Sequence, residues 1–166
     1  MKIKYVDPHD FLSGAAYEGD SGIDLRAASD PLIVGHNLQE NDWKYIDYIE
    51  YDTNICIAPD SADMSCLLFP RSSISRYNLM LANSVGVIDP GYRDTIKVRF
   101  KYISQPADYQ VFEKWLILRP SLDRIYKRGD KIAQIIFSPL LRPTWEKTLE
   151  LPDSDRGKGG FGSSGS

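Results

Sequence analysis

Apolar positions in this chain come in short runs rich in Ile, Val, Tyr and Phe, interrupted about every eight to twelve residues by Pro, Gly, Asp or Asn. Helical periodicity is scarce. The pattern predicts strands over 3–6, 23–27, 32–34, 45–51, 54–58, 64–69, 79–82, 95–100, 115–118, 132–137 and 144–150. So many short strands are buried most naturally in two facing sheets, so the expected fold class is all-β, a jelly-roll-like sandwich or barrel. Two stretches break the rhythm and read as surface excursions. One is HNLQENDWK (36–44); the other, 104–128, carries Pro106, Pro120 and a short helical turn around 108–114.

A chain of 166 residues fits one domain of ordinary size. The expected division is a core domain over 1–151 and a mobile, glycine-rich C-terminal arm over 152–166. The arm, PDSDRGKGGFGSSGS, has too little apolar surface to fold alone. No internal repeat is visible.

Charge and composition narrow the function classes. The net charge of −3 argues against binding to duplex nucleic acid, so any affinity for phosphate must be local. No apolar run approaches the ~20 residues of a membrane-spanning helix. The N-terminus, MKIKYVDPHDF, lacks the pattern of a secretory signal, and the expected setting is cytoplasmic, or the host cytoplasm if a virus encodes the chain. Cys56 and Cys66 sit in no metal-ligand pattern and read as reduced core residues. His9 and His36, the two histidines, stand in polar surroundings, which leaves little material for a Ser-His-Asp triad or a zinc site.

Five segments carry chemistry. NSVGVIDPGYR (83–93) runs an apolar strand into an Asp-Pro-Gly turn, which presents Asp89 and Tyr92 at a hairpin tip. PRSSISRYN (70–78) offers an arginine and three hydroxyls as donors for phosphate oxygens; the same serines also suit a helix N-cap. GDSGIDLRA (19–27) places Asp24 in an apolar strand start, where its carboxylate needs a cation or backbone donors. In RGDKIAQIIF (128–137) Gln134 interrupts a buried strand, and either meets a backbone partner or points into a site. RGKGGFGSSGS (156–166) sets Phe161 in a run poor in side chains. It reads as a flexible tail or as an arm whose aromatic ring docks on something flat such as a nucleobase.

Taken in order, GDSGIDLRA, PRSS, NSVGVIDPGYR, GDKIAQIIF and RGKGGFGSSG resemble the five motifs of the trimeric dUTPase family. The resemblance implies the dUTPase β-fold and hydrolysis of dUTP to dUMP and pyrophosphate. It gives Asp89 the role of orienting and deprotonating the water that attacks the α-phosphorus. Tyr92 would lie under the deoxyribose and exclude a 2′-hydroxyl, while Asn83 and the backbone of Val87 and Ile88 would read uracil. Arg71, Ser72 and Ser73 would hold the triphosphate, with Gln134 near the α-phosphate and Lys97 at the pocket. Mg²⁺ would be chelated by the phosphates and met by Asp24 through water. Phe161 would stack over the base as Arg156, Gly162 and Ser163 reach the terminal phosphates. A homotrimer with shared active sites is the implied assembly.

Departures from the family pattern are Ser75, Asn78 and Asp94, and an excursion over 104–128 longer than the fold requires. The related dCTP deaminases want a carboxylate shortly after the hairpin, where Thr95, Ile96, Lys97 and Val98 offer none. A protein regulator that uses the nucleotide site as a sensor, with the excursion as its interface, is the alternative from another class.

Overall fold

The computed structural model describes residues 2–12, 17 and 19–158, and among these every regular element is a strand or a short 3-10 turn. One sheet runs in the order β2 (Ile23–Arg26), β12 (Lys131–Pro139), β6 (Met64–Pro70) and β8 (Gly86–Ile88). A second runs β10 (Tyr109–Phe112), β11 (Trp115–Leu118), β4 (Asp42–Asp52), β9 (Lys97–Tyr102) and β7 (Leu79–Leu81), with β3 (Leu32–Gln39) also paired to β4. A separate ribbon joins β1 (Ile3–Val6) to β5 (Cys56–Pro59).

Alternation explains how these strands bury a core. In β6, Met64, Cys66 and Leu68 turn inward; in β9, Val98 and Phe100 do so while Lys97, Arg99 and Lys101 face out. β12 breaks the period, burying the adjacent Ile132 and Ala133, and the register against β2 slips between Lys131 and Ala133. A bulge of this kind turns two successive residues to one face. Leu25, Leu68 and Ile135 of the first sheet join Ile49, Val98 and Phe100 of the second in one buried cluster, so the two sheets face each other as a sandwich. The all-β, jelly-roll-like expectation holds.

The aromatic centre of this core is Tyr51, Phe100 and Tyr126, whose rings meet edge-on or tilted at 5.5–6.2 Å. The Tyr51 hydroxyl donates to the Tyr126 carbonyl at 2.8 Å, which pins the loop before β12 to β4. Burial pushes the Cys66 thiol up to about 12. Both cysteines are free, Cys66 buried in the core and Cys56 half-buried. His9 and His36 are exposed.

Three expectations fail locally. Residues 36–44 are not an irregular excursion but the end of β3, a tight turn and the start of β4, with Asn41 at φ +61 in the turn. Polar residues such as His36, Asn37 and Gln39 conceal this hairpin because both of its faces meet solvent. The turn expected over 108–114 is a 3-10 turn at Pro106–Asp108 followed by the β10–β11 hairpin, in which Glu113 takes φ +54. Tyr109 to Phe112 favour a strand, and pairing with 115–118 decides it. Over 144–150 no strand forms: Trp145 is 91% and Leu149 100% exposed.

The hairpin is clamped to β4 by one buried carboxylate. Arg119 donates to both oxygens of Asp42, Gln39 adds a bond at 2.6 Å, and Arg119 also reaches Gln110 at 2.5 Å. These donors, Arg119 foremost, hold the Asp42 carboxyl down at about 2.

Candidate functional site

Six of the residues singled out by sequence line one cavity of about 520 Å³: Asn83, Val87, Ile88, Asp89, Tyr92 and Lys97. The chain brings them together through β8, the turn after it and the start of β9. β8 is the last strand of its sheet, paired only with β6 through Leu68↔Gly86, Leu67↔Val87 and Cys66↔Ile88. The backbone groups on its other edge are thus free of strand partners. Gly86 is favoured here by close contact rather than by φ. A Cβ on it would lie 3.1 Å from the Leu68 Cβ and 3.4 Å from the Asn83 side-chain nitrogen.

The Asp-Pro-Gly turn closes with the Tyr92 N–H on the Asp89 carbonyl at 3.0 Å. Arg93 ties the tip by donating to the Pro90 and Tyr92 carbonyls at 2.7 and 2.8 Å. The Tyr92 hydroxyl donates to the Thr95 carbonyl at 3.1 Å, which fixes the ring beside the cavity. Thr95 is itself anchored, its hydroxyl donating to Asp52 at 2.9 Å and its N–H to Asp94 at 2.7 Å. Asp94, a departure from the family pattern, thus serves the hairpin as a local cap. Asp89 is exposed, and among the described residues nothing bonds its carboxylate.

A second cavity of about 300 Å³ gathers Asp20, Gly22, Asp24, Arg71, Ser72 and Gln134, and shares no lining residue with the first. Asp24 finds the partners that its burial demands. Arg71 Nε lies 2.7 Å from one carboxylate oxygen and Lys131 Nζ 2.8 Å from the other. Lys131 was missed by reading the sequence; the signal was a cation three residues before Gln134 on the strand that pairs with β2. Gln134 meets the backbone partner that one reading expected, and lines this cavity. Its amide nitrogen donates to the Pro70 carbonyl at 3.2 Å, and its oxygen occupies the space that a Cβ on Gly22 would need, 2.3 Å away.

After Pro70 the chain enters a 3-10 turn, Ser72–Arg76, with Arg71 at the capping position and no side-chain cap bond. The reading of Ser72 and Ser73 as N-caps therefore fails. Ser72 is exposed and lines the second cavity; Ser73 lies behind it, half-buried. Arg156 is exposed in a turn closed by the Gly157 N–H on the Ser154 carbonyl at 2.9 Å, and lines neither cavity. Phe161, Gly162 and Ser163 lie outside the described residues.

For a metal, the described residues contain no group of three or more His, Cys, Asp or Glu side chains. Asp24 shares its cavity with one other carboxylate, the exposed Asp20, beside a cationic loop. That donor set suits a hard cation carried in by a polyphosphate and still partly hydrated, and does not suit a cage of protein ligands. No helix among the described residues is long and apolar enough to cross a membrane.

Comparison with known proteins adds four findings. The family model described as dUTPase matches residues 121–165. The deoxyuridine 5′-triphosphate nucleotidohydrolase of Clostridium kluyveri is 31% identical over 166 residues, which span 99% of this chain and 97% of that protein. Among solved structures, a Staphylococcus bacteriophage 80alpha dUTPase with dUpNHpp superposes with a TM-score of 0.72 at 21% identity, covering 99% of both chains. A dUTPase mutant from phage phi11 of S. aureus, described with a structural Mg(II) ion, superposes with a TM-score of 0.63 at 17% identity, covering 90% of this chain and 98% of that one.

Proposed function

The chain belongs to the dUTPase family and is a deoxyuridine triphosphate nucleotidohydrolase; from that premise we propose that it cleaves dUTP to dUMP and pyrophosphate with Asp89 as general base. The observation that carries this reading is the convergence of Asn83, Val87, Ile88, Asp89, Tyr92 and Lys97 on one cavity.

Asp89, exposed at the cavity and bound by no described side chain, orients a water and takes its proton as the oxygen attacks the α-phosphorus. The bond from that phosphorus to the bridging oxygen breaks, and pyrophosphate leaves. In-line displacement of this kind asks the protein mainly for position and charge neutralisation. Uracil is read by the Asn83 amide and by the free edge of β8. A base of different donor and acceptor pattern leaves those groups unpaired, which can weaken binding by orders of magnitude. Tyr92, held by its bond to the Thr95 carbonyl, closes the floor under the sugar and rejects a 2′-hydroxyl.

Arg71, Ser72 and Ser73 receive the phosphates, with Gln134 beside them. Asp24 is the residue that would hold a triphosphate-borne Mg²⁺, which would supply charge neutralisation there. Arg156, Phe161, Gly162 and Ser163 belong to the arm, residues 152–166, that covers the occupied site, while 1–151 forms the core domain. The partner implied by the fold is two further copies of the chain in a homotrimer with shared sites. Supporting this, Leu141, Trp145, Leu149 and Leu151 are each more than four-fifths exposed in one chain, an apolar strip that a neighbouring copy would cover. The reaction removes dUTP, limiting uracil in DNA and supplying dUMP for dTMP synthesis in the cytoplasm, or in a host cytoplasm if the gene is viral.

The test is to incubate the protein with Mg²⁺ and, separately, dUTP, UTP, dTTP and dCTP, measuring pyrophosphate and ammonia. Pyrophosphate from dUTP alone is expected. Ammonia from dCTP would replace this reading with deamination, and silence with all four would leave a binding protein.

A further inference from the structure

The segment that carries Asp89 and Tyr92 stands in a socket built by residues outside all five motifs. β4 ends at Asp52, and the chain after it folds back on that carboxylate. Asp52 Oδ1 accepts the Asn54 N–H at 2.7 Å, with Asn54 at φ +55. Asp52 Oδ2 accepts the Thr95 hydroxyl at 2.9 Å. Alongside, the fully buried Thr53 donates its N–H and its hydroxyl to the Ile96 carbonyl at 3.1 and 2.8 Å, and the Ile96 N–H donates to the Ile55 carbonyl at 2.8 Å. The Asp52 backbone is tied from behind: its N–H donates to the Ser29 hydroxyl at 3.0 Å and its carbonyl accepts the Ala28 N–H at 2.8 Å. Both carboxylate oxygens are therefore used, and one of them holds Thr95.

Tyr92 depends on that hold. Its hydroxyl donates to the Thr95 carbonyl at 3.1 Å, and its ring is 41% exposed, so packing alone confines it loosely. A ring that excludes one hydroxyl group must be placed closely, since a displacement of roughly 1 Å in a positioned group can change a rate by about 10²-fold. We propose that Asp52 and Thr95 are positioning residues for sugar selection: through the Thr95 hydroxyl, Asp52 fixes the carbonyl that anchors Tyr92, and with it the ring that excludes a 2′-hydroxyl. Neither residue lines the cavity, so both act through Tyr92. The inference rests on the assignment of Tyr92 to the sugar.

Thr95→Val keeps the outline of the side chain and removes its donor. The ratio of kcat/KM for dUTP to that for UTP, with UTP assayed at excess enzyme, should fall about tenfold. Thr95→Ser restores the donor and should restore the ratio. A merely structural role would lower the melting temperature and both rates together, with the ratio unmoved. In a Tyr92→Phe background, where the anchoring bond is already gone, Thr95→Val should change the ratio no further. Should Thr95→Val not fold, Thr95→Ala carries the same comparison. An unchanged ratio in the donorless variant, while Tyr92→Ala admits UTP, overturns the positioning role alone. So does a ratio that Thr95→Ser fails to restore, or a full further loss in the Tyr92→Phe background. If Tyr92→Ala still rejects UTP, the sugar reading of Tyr92 fails and the positioning role with it.

Discussion

The hairpin cavity and the cavity around Asp24 meet the ligands proposed for them in opposite ways. In the hairpin cavity the polar groups stand free: β8 is an edge strand and the Asp89 carboxylate has no described partner. In the cavity proposed for the phosphates the cations are already paired with an internal anion, since Arg71 and Lys131 both contact Asp24. The physical reason is charge. A neutral base is recognised by fixed dipoles that tolerate exposure, whereas cations gathered in a half-buried pocket would repel one another without a carboxylate between them. On the proposed reading the first cavity takes its base without rearrangement, whereas the second must exchange an internal partner for an external one.

The largest effect should come from the free carboxylate. Asp89→Asn is expected to bind dUTP with little change in affinity while kcat falls by about 10²–10⁴, the usual worth of a general base. Steady-state rates alongside analogue binding measure both, and normal turnover would remove Asp89 from the chemistry.

Asp24→Asn tests the other half of the contrast. Without the carboxylate, Arg71 no longer chooses between it and the ligand, so metal-free binding of dUpNHpp should tighten several-fold. Turnover with Mg²⁺ should fall, because the group that meets the hydrated ion is gone. Weaker metal-free binding would mean that Asp24 positions Arg71 and does not compete for it.

The smallest effect on catalysis belongs to the clamp remote from both cavities. The Asp42 carboxyl is held at about 2, below its usual 3.8, mainly by Arg119. A depressed carboxyl stabilises the fold fully above its unfolded pKa, and that contribution disappears as pH falls through the folded value. Acid titration of stability should therefore show a loss between about pH 4 and pH 2 that Arg119→Met abolishes. The variant should melt lower at neutral pH yet hydrolyse dUTP at the wild-type rate.

Much of the site was legible from the chain alone because its residues are close in sequence. Asn83 to Tyr92 form one turn with the strand that feeds it, and a Pro-Gly turn dictates its own geometry. Asp24 declared its need for a partner through its apolar surroundings. What could not be read was which partner: Lys131 reaches Asp24 only because β12 lies against β2. The hairpin over 36–44 and the strand over 109–112 were hidden for a related reason, whereas the strand over 115–118 was expected and forms. The faces of the hidden elements are largely exposed, so no alternation marks them, and pairing between strands makes them. The apolar positions over 144–150 misled in the opposite direction, resembling a strand where this chain alone provides no neighbour to pair with.

Sequence by itself determined the class of fold, through short apolar runs too brief for helices, and it determined the local chemistry of each motif, because turns and donors are properties of a few consecutive residues. Only the tertiary structure decided that the hairpin residues and the group around Asp24 line two separate cavities, and that Asp24 is shared by Arg71 and Lys131. Those facts depend on which strands lie side by side, and a period of two along a strand says which face is buried without naming its neighbour.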